Sequence, residues 1–141
     1  MIKIKLDNDI EKKNIIEKEL VKFNDSKCRW LKYKRTTDDN DINFLAFNDD
    51  ILIGGAVGYI QYNWYFLDLL YIDEIYRGKD IGTALIHKIE EFAINNKLTG
   101  VRMETWDFQA LNFYKKMGYD LFGEIKDCPP GTICYFLSKK L

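Results

Sequence analysis

The stretch from Trp64 to Leu85, WYFLDLLYIDEIYRGKDIGTAL, most constrains what this chain can become. It opens as a run of apolar, aromatic and β-branched residues that reads as a buried strand, then passes through Arg77-Gly78-Lys79 into a segment of helical period. In that segment Ile81, Leu85, Ile89 and Phe92 fall on one side and Ile86 and Ala93 widen the stripe, while Lys88, Glu90, Glu91 and Asn95 point elsewhere. A strand, a glycine-bearing turn and a helix therefore follow one another. The amides of a first helical turn lack partners within the helix and sit at the positive end of its dipole, and glycines at 78 and 82 leave room for a phosphate against the backbone. A diphosphate-bearing ligand suits such a turn. A tight bend with a close helix-to-sheet contact would account for the same two glycines. The spacing is neither that of a Walker loop nor the G-x-G-x-x-G of a dinucleotide fold.

The rest of the chain builds outward from this unit. Ile2, Ile4 and Leu6 alternate with lysines as a half-buried first strand would, and Asn8, with Glu11 three residues on, predicts the start of a helix whose Ile16, Leu20 and Phe23 share a face as far as about Asn24. Residues 25 to 41 read as a short helix and a loop. Trp30 and the acidic run Asp38-Asp39-Asn40-Asp41 either give a pocket an aromatic wall and a field that attracts cations, or form a solvated charge run over a core tryptophan. Ile42 to Phe47 and Ile51 to Tyr62 form a hairpin across Asn48-Asp49-Asp50, and a turn at Asn63 leads into the organising strand, giving an antiparallel meander. Beyond the helix, Val101 to Thr105 is a strand that must run parallel to its predecessor. Asp107 is placed to cap a second helix, in which Ala110, Phe113, Tyr114 and Met117 share a face, and Gly118 is placed to end it. Strands over Tyr119 to Ile125 and Thr132 to Leu137 follow, joined through Pro129-Pro130-Gly131.

At 141 residues, 47% of them hydrophobic, the chain is sized for one domain spanning 1–141 with a proper core. A net charge of -1 gives no case for nucleic acid or an anionic membrane, so small molecules are the expected partners. No apolar run approaches the roughly 18 residues of a membrane span, and the start MIKIKLDNDIEKK lacks the apolar core of a leader, which makes a cytoplasmic protein the expectation. Cys28, Cys128 and Cys134 show no paired spacing, and His87, opposite the apolar stripe of its helix, cannot complete a zinc set with them, so reduced thiols and no metal are expected.

Two blocks resemble the GNAT superfamily of acetyl-CoA-dependent N-acetyltransferases. Arg77-Gly78-Lys79-Asp80-Ile81-Gly82 is similar to the family's phosphate-binding pattern of Arg or Gln, two residues, Gly, one residue, Gly or Ala, and Ala110 to Tyr119 (ALNFYKKMGY) is similar to its A-x-x-F-Y-x-x-x-G-F/Y. The correspondence is good from about Leu67 to Tyr119, whereas the first sixty residues match in element type only. The resemblance implies a mixed α/β (α+β) fold with a central sheet of about seven strands, antiparallel in its N-terminal half, and two parallel strands that splay at a bulge near Leu70, Tyr71 and Ile72. It implies acetyl-CoA as co-substrate, its pyrophosphate on the amides of Gly78, Lys79, Asp80, Ile81, Gly82 and Thr83 beside Arg77, with Asp107 and Asn112 near the cofactor arm. Asp80 stands where the family has its first glycine, and Asp107 where many members have asparagine.

Acetyl transfer to an amine needs a neutral amine, a polarised thioester carbonyl and a proton for the departing thiolate. The resemblance makes Tyr114 the general acid, while a core tyrosine in an apolar stripe is the structural alternative. Asp68, on the side of Phe66 and Leu70 in a regular strand, and Glu104 on the facing strand are the candidate bases; many relatives carry glutamate where this chain has Phe66. An amide near Tyr71 would hold the oxyanion. Trp30 and Asp68 are the expected acceptor contacts. Asp80, at a helix start, is expected to accept the amide hydrogen bonds that the ligand wants. The expected activity is transfer to a primary amine of a small cationic molecule in a ternary complex, with a homodimer as an allowed assembly; a protein N-terminal or lysine acetyltransferase and a non-catalytic acyl-CoA sensor are the alternatives.

Overall fold

The computed structural model describes residues 1–34, the Lys34 side chain excepted, and 41–141. Two compact units divide at Asp38/Asp39; Asp38 and Asp39 of the acidic run lie outside the described residues.

In the first unit α1 spans Ile10–Lys27 and α2 spans Arg29–Lys34. The cap of α1 is Asp9 rather than Asn8: its carboxylate accepts from the Lys12 amide at 3.0 Å. The expected first strand is absent, because alternation makes a strand only where a ladder partner exists, and Ile2, Ile4 and Leu6 have none among the described residues and stand exposed.

The second unit is a sheet with two helices. β1 (Phe44–Asn48), β2 (Ile51–Gln61) and β3 (Trp64–Ile72) form the antiparallel meander. Tyr62 and Asn63, at φ 53° and 65°, make the two-residue loop between β2 and β3, since two left-handed residues give a turn whose twist suits the strands. A 3₁₀ turn at Glu74–Tyr76 leads to α3 (Ile81–Asn95), and β4 (Gly100–Trp106) returns parallel to β3. α4 (Leu111–Lys116), β5 (Asp120–Lys126) and β6 (Ile133–Lys140) complete the unit. The strand order is β1-β2-β3-β4-β6-β5, six strands among the described residues where about seven were expected, the N-terminal one not having formed.

Register decides which residues share a face. Val101, Met103 and Thr105 of β4 point to one side with Tyr65, Leu67 and Leu137, where Leu85, Ile86, Ile89 and Ala93 of α3 complete a dry core. Arg102, Glu104 and Trp106 point to the other side. Asp107 does not cap α4: that helix begins at Leu111, behind Ala110, too far along for the Asp107 side chain to serve its first turn. Gly118 ends it at φ 91°, in the left-handed conformation that glycine adopts without strain. No helix among the described residues is long and apolar enough to cross a membrane.

Candidate active site

The sheet opens in its middle. β3 and β4 pair from Trp64↔Gly100 to Leu67↔Met103 and then part, β3 staying laddered to β2 as far as Ile72↔Gly54 and β4 to β6 as far as Trp106↔Cys134. At the parting β2 sets Gly58 opposite Leu67 and Val57 opposite Leu69, so Asp68 is the extra residue of a bulge. The bulge thus lies at Asp68, not at Leu70 to Ile72. Its consequence is a switch of faces: Leu70 pairs with buried Ala56, while Phe66 pairs with Tyr59 on the other side, and Asp68 is exposed between them rather than aligned with both.

A cleft of about 1020 Å³ fills the parting. At one end lies the turn before α3. Arg77 folds back onto β3, its Nε donating to the Ile72 carbonyl at 2.9 Å and its guanidinium lying 5.7 Å from the Tyr71 ring centre. Gly78, at φ 73°, faces open space, and a Cβ on Gly82 would meet only the Phe113 ring, at 3.4 Å. No side chain among the described residues is seen to cap the start of α3. Asp80 takes the N-cap position at φ 60°, ψ 17°, and its carboxylate makes no cap hydrogen bond; the expectation that it occupies the first-turn amides fails because the left-handed backbone carries the side chain away from them. The entry to α3 is left open to an anion, at the positive end of a 15-residue helix.

Tyr114 lies deeper. It is buried on α4, edge-on to Phe113 and to Tyr119 at ring separations of 5.3 and 6.2 Å. Burial pushes its phenol up to about 12, so it carries its proton at neutral pH and has one to donate. Behind it the Tyr119 hydroxyl donates to Glu90 Oε1 at 3.1 Å, an oxygen that also takes the Lys139 ammonium at 2.9 Å, and the same ammonium donates to the Met117 carbonyl at 2.9 Å. That cluster ties α3, the end of α4 and β6 together. Within the cleft, Gln109 Oε1 accepts from the Thr105 hydroxyl at 3.1 Å and the Trp106 amide at 3.0 Å, fixing the loop after β4.

Of the residues singled out from sequence, Asp68, Leu70, Tyr71, Ile72, Arg77, Gly78, Asp80, Ile81, Gly82, Thr83, Glu104 and Tyr114 line this one cleft. Lys79, Asp107 and Asn112 do not. Lys79 instead places its ammonium 5.4 Å from the Tyr76 ring centre, and Asp107 and Asn112 are exposed outside the lining. Trp30 belongs to the first unit. The lining also holds Trp106 and Phe108, which sequence reasoning passed over, and Phe66 and Cys134, which it gave no place in the site; two-residue alternation from Glu104 would have found Trp106. The Cys134 thiol is pushed up by its burial, with the Glu104 carboxylate adding to the effect.

The family described as "Acetyltransferase (GNAT) family" matches residues 11–119, most of the chain and all of the cleft as far as α4. The chain belongs to the GNAT acetyltransferase family. It is an acyltransferase by that membership. Among its relatives is the blasticidin-S acetyltransferase of Streptomyces morookaense, 43% identical over 91 residues that cover 64% of this chain and 67% of that one. An acetyltransferase from Bacillus cereus superposes with a TM-score of 0.82 at 25% identity, covering 99% of this chain and 98% of its own. An aminoglycoside 6'-N-acetyltransferase complexed with coenzyme A shares the fold, with a TM-score of 0.66 at 17% identity over 78% of this chain and 77% of its own.

Proposed function

We propose that this chain is an N-acetyltransferase that moves the acetyl group of acetyl-CoA to a primary amine of a small cationic molecule, by direct attack in a ternary complex. The observation that carries this reading is the parting of β3 from β4 after Leu67↔Met103, which puts an open helix start at one end of a cleft and a proton-bearing tyrosine inside it. A relative named blasticidin-S acetyltransferase supports acetyl transfer to a small molecule, and an aminoglycoside 6'-N-acetyltransferase complexed with coenzyme A shares the fold.

In this reading the pyrophosphate rests on the amides of Gly78 to Thr83, and the pantetheine arm runs between the splayed strands. Gly78 and Gly82 leave the space that a phosphate needs. The neutral amine attacks the thioester carbonyl, a C–N bond forms, and the charge that develops on the carbonyl oxygen is met by the backbone amide near Tyr71. The C–S bond then breaks, the thiolate takes the Tyr114 proton, and the proton lost by the amine passes to Asp68 or Glu104, directly or through water. Both carboxylates are exposed in the cleft, where they also favour a cationic acceptor.

The deciding measurement is release of free coenzyme A thiol from acetyl-CoA in the presence of polyamines, aminoglycosides, amino acids and short peptides. Turnover confined to small amines is the expected result. Turnover on peptides alone would shift the acceptor to protein, and tight acetyl-CoA binding without turnover on any amine would make the chain a sensor.

A further inference from the structure

Resting on that reading, the geometry points to the class of acceptor: an amine that also carries a planar π-system, held against Trp106 and Phe108. These rings lie 5.6 Å apart at 16°, an offset stack, and both line the cleft. Phe108 is 66% exposed and Trp106 38%, so both rings are accessible where they line the cleft. Trp106 is also held in place: its indole N–H donates to the Cys128 carbonyl at 2.8 Å, and its main-chain amide donates to Gln109 Oε1 at 3.0 Å. An exposed stacked pair with its tryptophan anchored leaves an aromatic face for a third flat ring.

The face of the sheet decides what that ring belongs to. Trp106 shares its side of β4 with Glu104, and by register with Cys134, whereas Tyr114, α3 and the α3 entry belong to the side of Met103 and Thr105. The diphosphate end of acetyl-CoA is therefore assigned to one face, and the aromatic pair stands on the other, from which the amine must come. Glu104, on that same face, supplies the negative charge for the ammonium as it arrives.

The test compares matched primary amines of equal chain length bearing a pyrimidine, a phenyl or a cyclohexyl group, using the full-length chain with saturating acetyl-CoA. The expected result is a kcat/KM about tenfold or more in favour of the flat rings over cyclohexyl. Phe108→Ala, at a mostly exposed position, and Trp106→Leu should bring that ratio to within about twofold of one, chiefly through KM. Equal rates for flat and puckered amines in the unaltered protein would overturn this inference and leave acetyl transfer standing, whereas no transfer to any amine would sink the reading beneath it. If Phe108→Ala instead weakened acetyl-CoA far more than acetyl-pantetheine, the pair would be reading the cofactor's adenine, and the inference would fall.

Discussion

Gly82 of α3 faces the ring of Phe113 of α4, and a Cβ added to the glycine would stand 3.4 Å from that ring. This is ordinary van der Waals contact, so there is room for a methyl group but for little more. Gly82→Ala should fold normally and retain acetyl-CoA binding. Gly82→Glu should abolish it, because the longer side chain has to enter the cleft and its charge repels the pyrophosphate. Calorimetry of both variants checks this, and near-unchanged affinity in Gly82→Glu would remove the α3 entry from the site.

Tyr114→Phe should lower kcat by roughly 10²-fold with little change in acetyl-CoA affinity, as loss of a general acid does. Because burial raises the folded-state phenol to about 12, above its unfolded value of 10, the associated stability is fully present below pH 10 and is lost as pH rises towards 12. Denaturant midpoints followed over that interval should fall less steeply in Tyr114→Phe than in the unaltered protein. Burial raises Tyr65 and Tyr119 as well, so part of the decline should persist.

Asp80→Gly is expected to raise the melting temperature or leave it unchanged. No cap hydrogen bond is there to lose, and a residue at φ 60° gains from glycine's freedom by up to about 1 kcal/mol, aspartate being among the side chains that tolerate the conformation best. Both Asp80→Gly and Asp80→Asn should tighten acetyl-CoA several-fold by removing a negative charge beside the pyrophosphate. Dissociation constants that stay equal or worsen in both would show that the carboxylate faces solvent far from the ligand.

Lys139→Met should destabilise the fold by about 1–3 kcal/mol, since it leaves a half-buried Glu90 carboxylate with the Tyr119 hydroxyl as its remaining partner and frees the Met117 carbonyl. Pairing it with Glu90→Gln should restore part of that loss, because the uncompensated charge is gone. Chemical denaturation of the single and double variants reads the coupling directly.

What sequence made legible was whatever is encoded locally. The helical period of Ile81 to Ala93, the apolar run of β3 and the glycine at 118 each act within a few residues, and each element formed where it was expected. Tyr114 and the turn at Gly78 came out in one cleft for the same reason: both are tied to ends of those elements. The failures share a cause of the opposite kind. Ile2, Ile4 and Leu6 have a strand's alternation but need a neighbour to become one, and the bulge at Asp68 lies where β3 leaves β4 while staying paired with β2, a tertiary relation that no property of Asp68 announces. Asp107 and Asp80 look like caps by residue type, yet a cap depends on where the backbone turns into the helix.

Beyond Leu67, β3 has a strand along one flank and the cleft along the other. An open flank of this kind normally lies at the rim of a sheet, where any extended chain could add to it. Here it lies in the middle of the sheet and faces the cleft. What it favours is a slender arm with amides at strand-like intervals, and a hydrocarbon tail of equal length would find nothing to grip. Because that grip belongs to the main chain, changing the side chains of Leu69 to Ile72 leaves it in place, and proline, which deletes an N–H, is the substitution that takes part of it away. In the proposed reading the carrier of the acetyl group is recognised through main-chain groups, which leaves the side chains around the cleft to suit the amine.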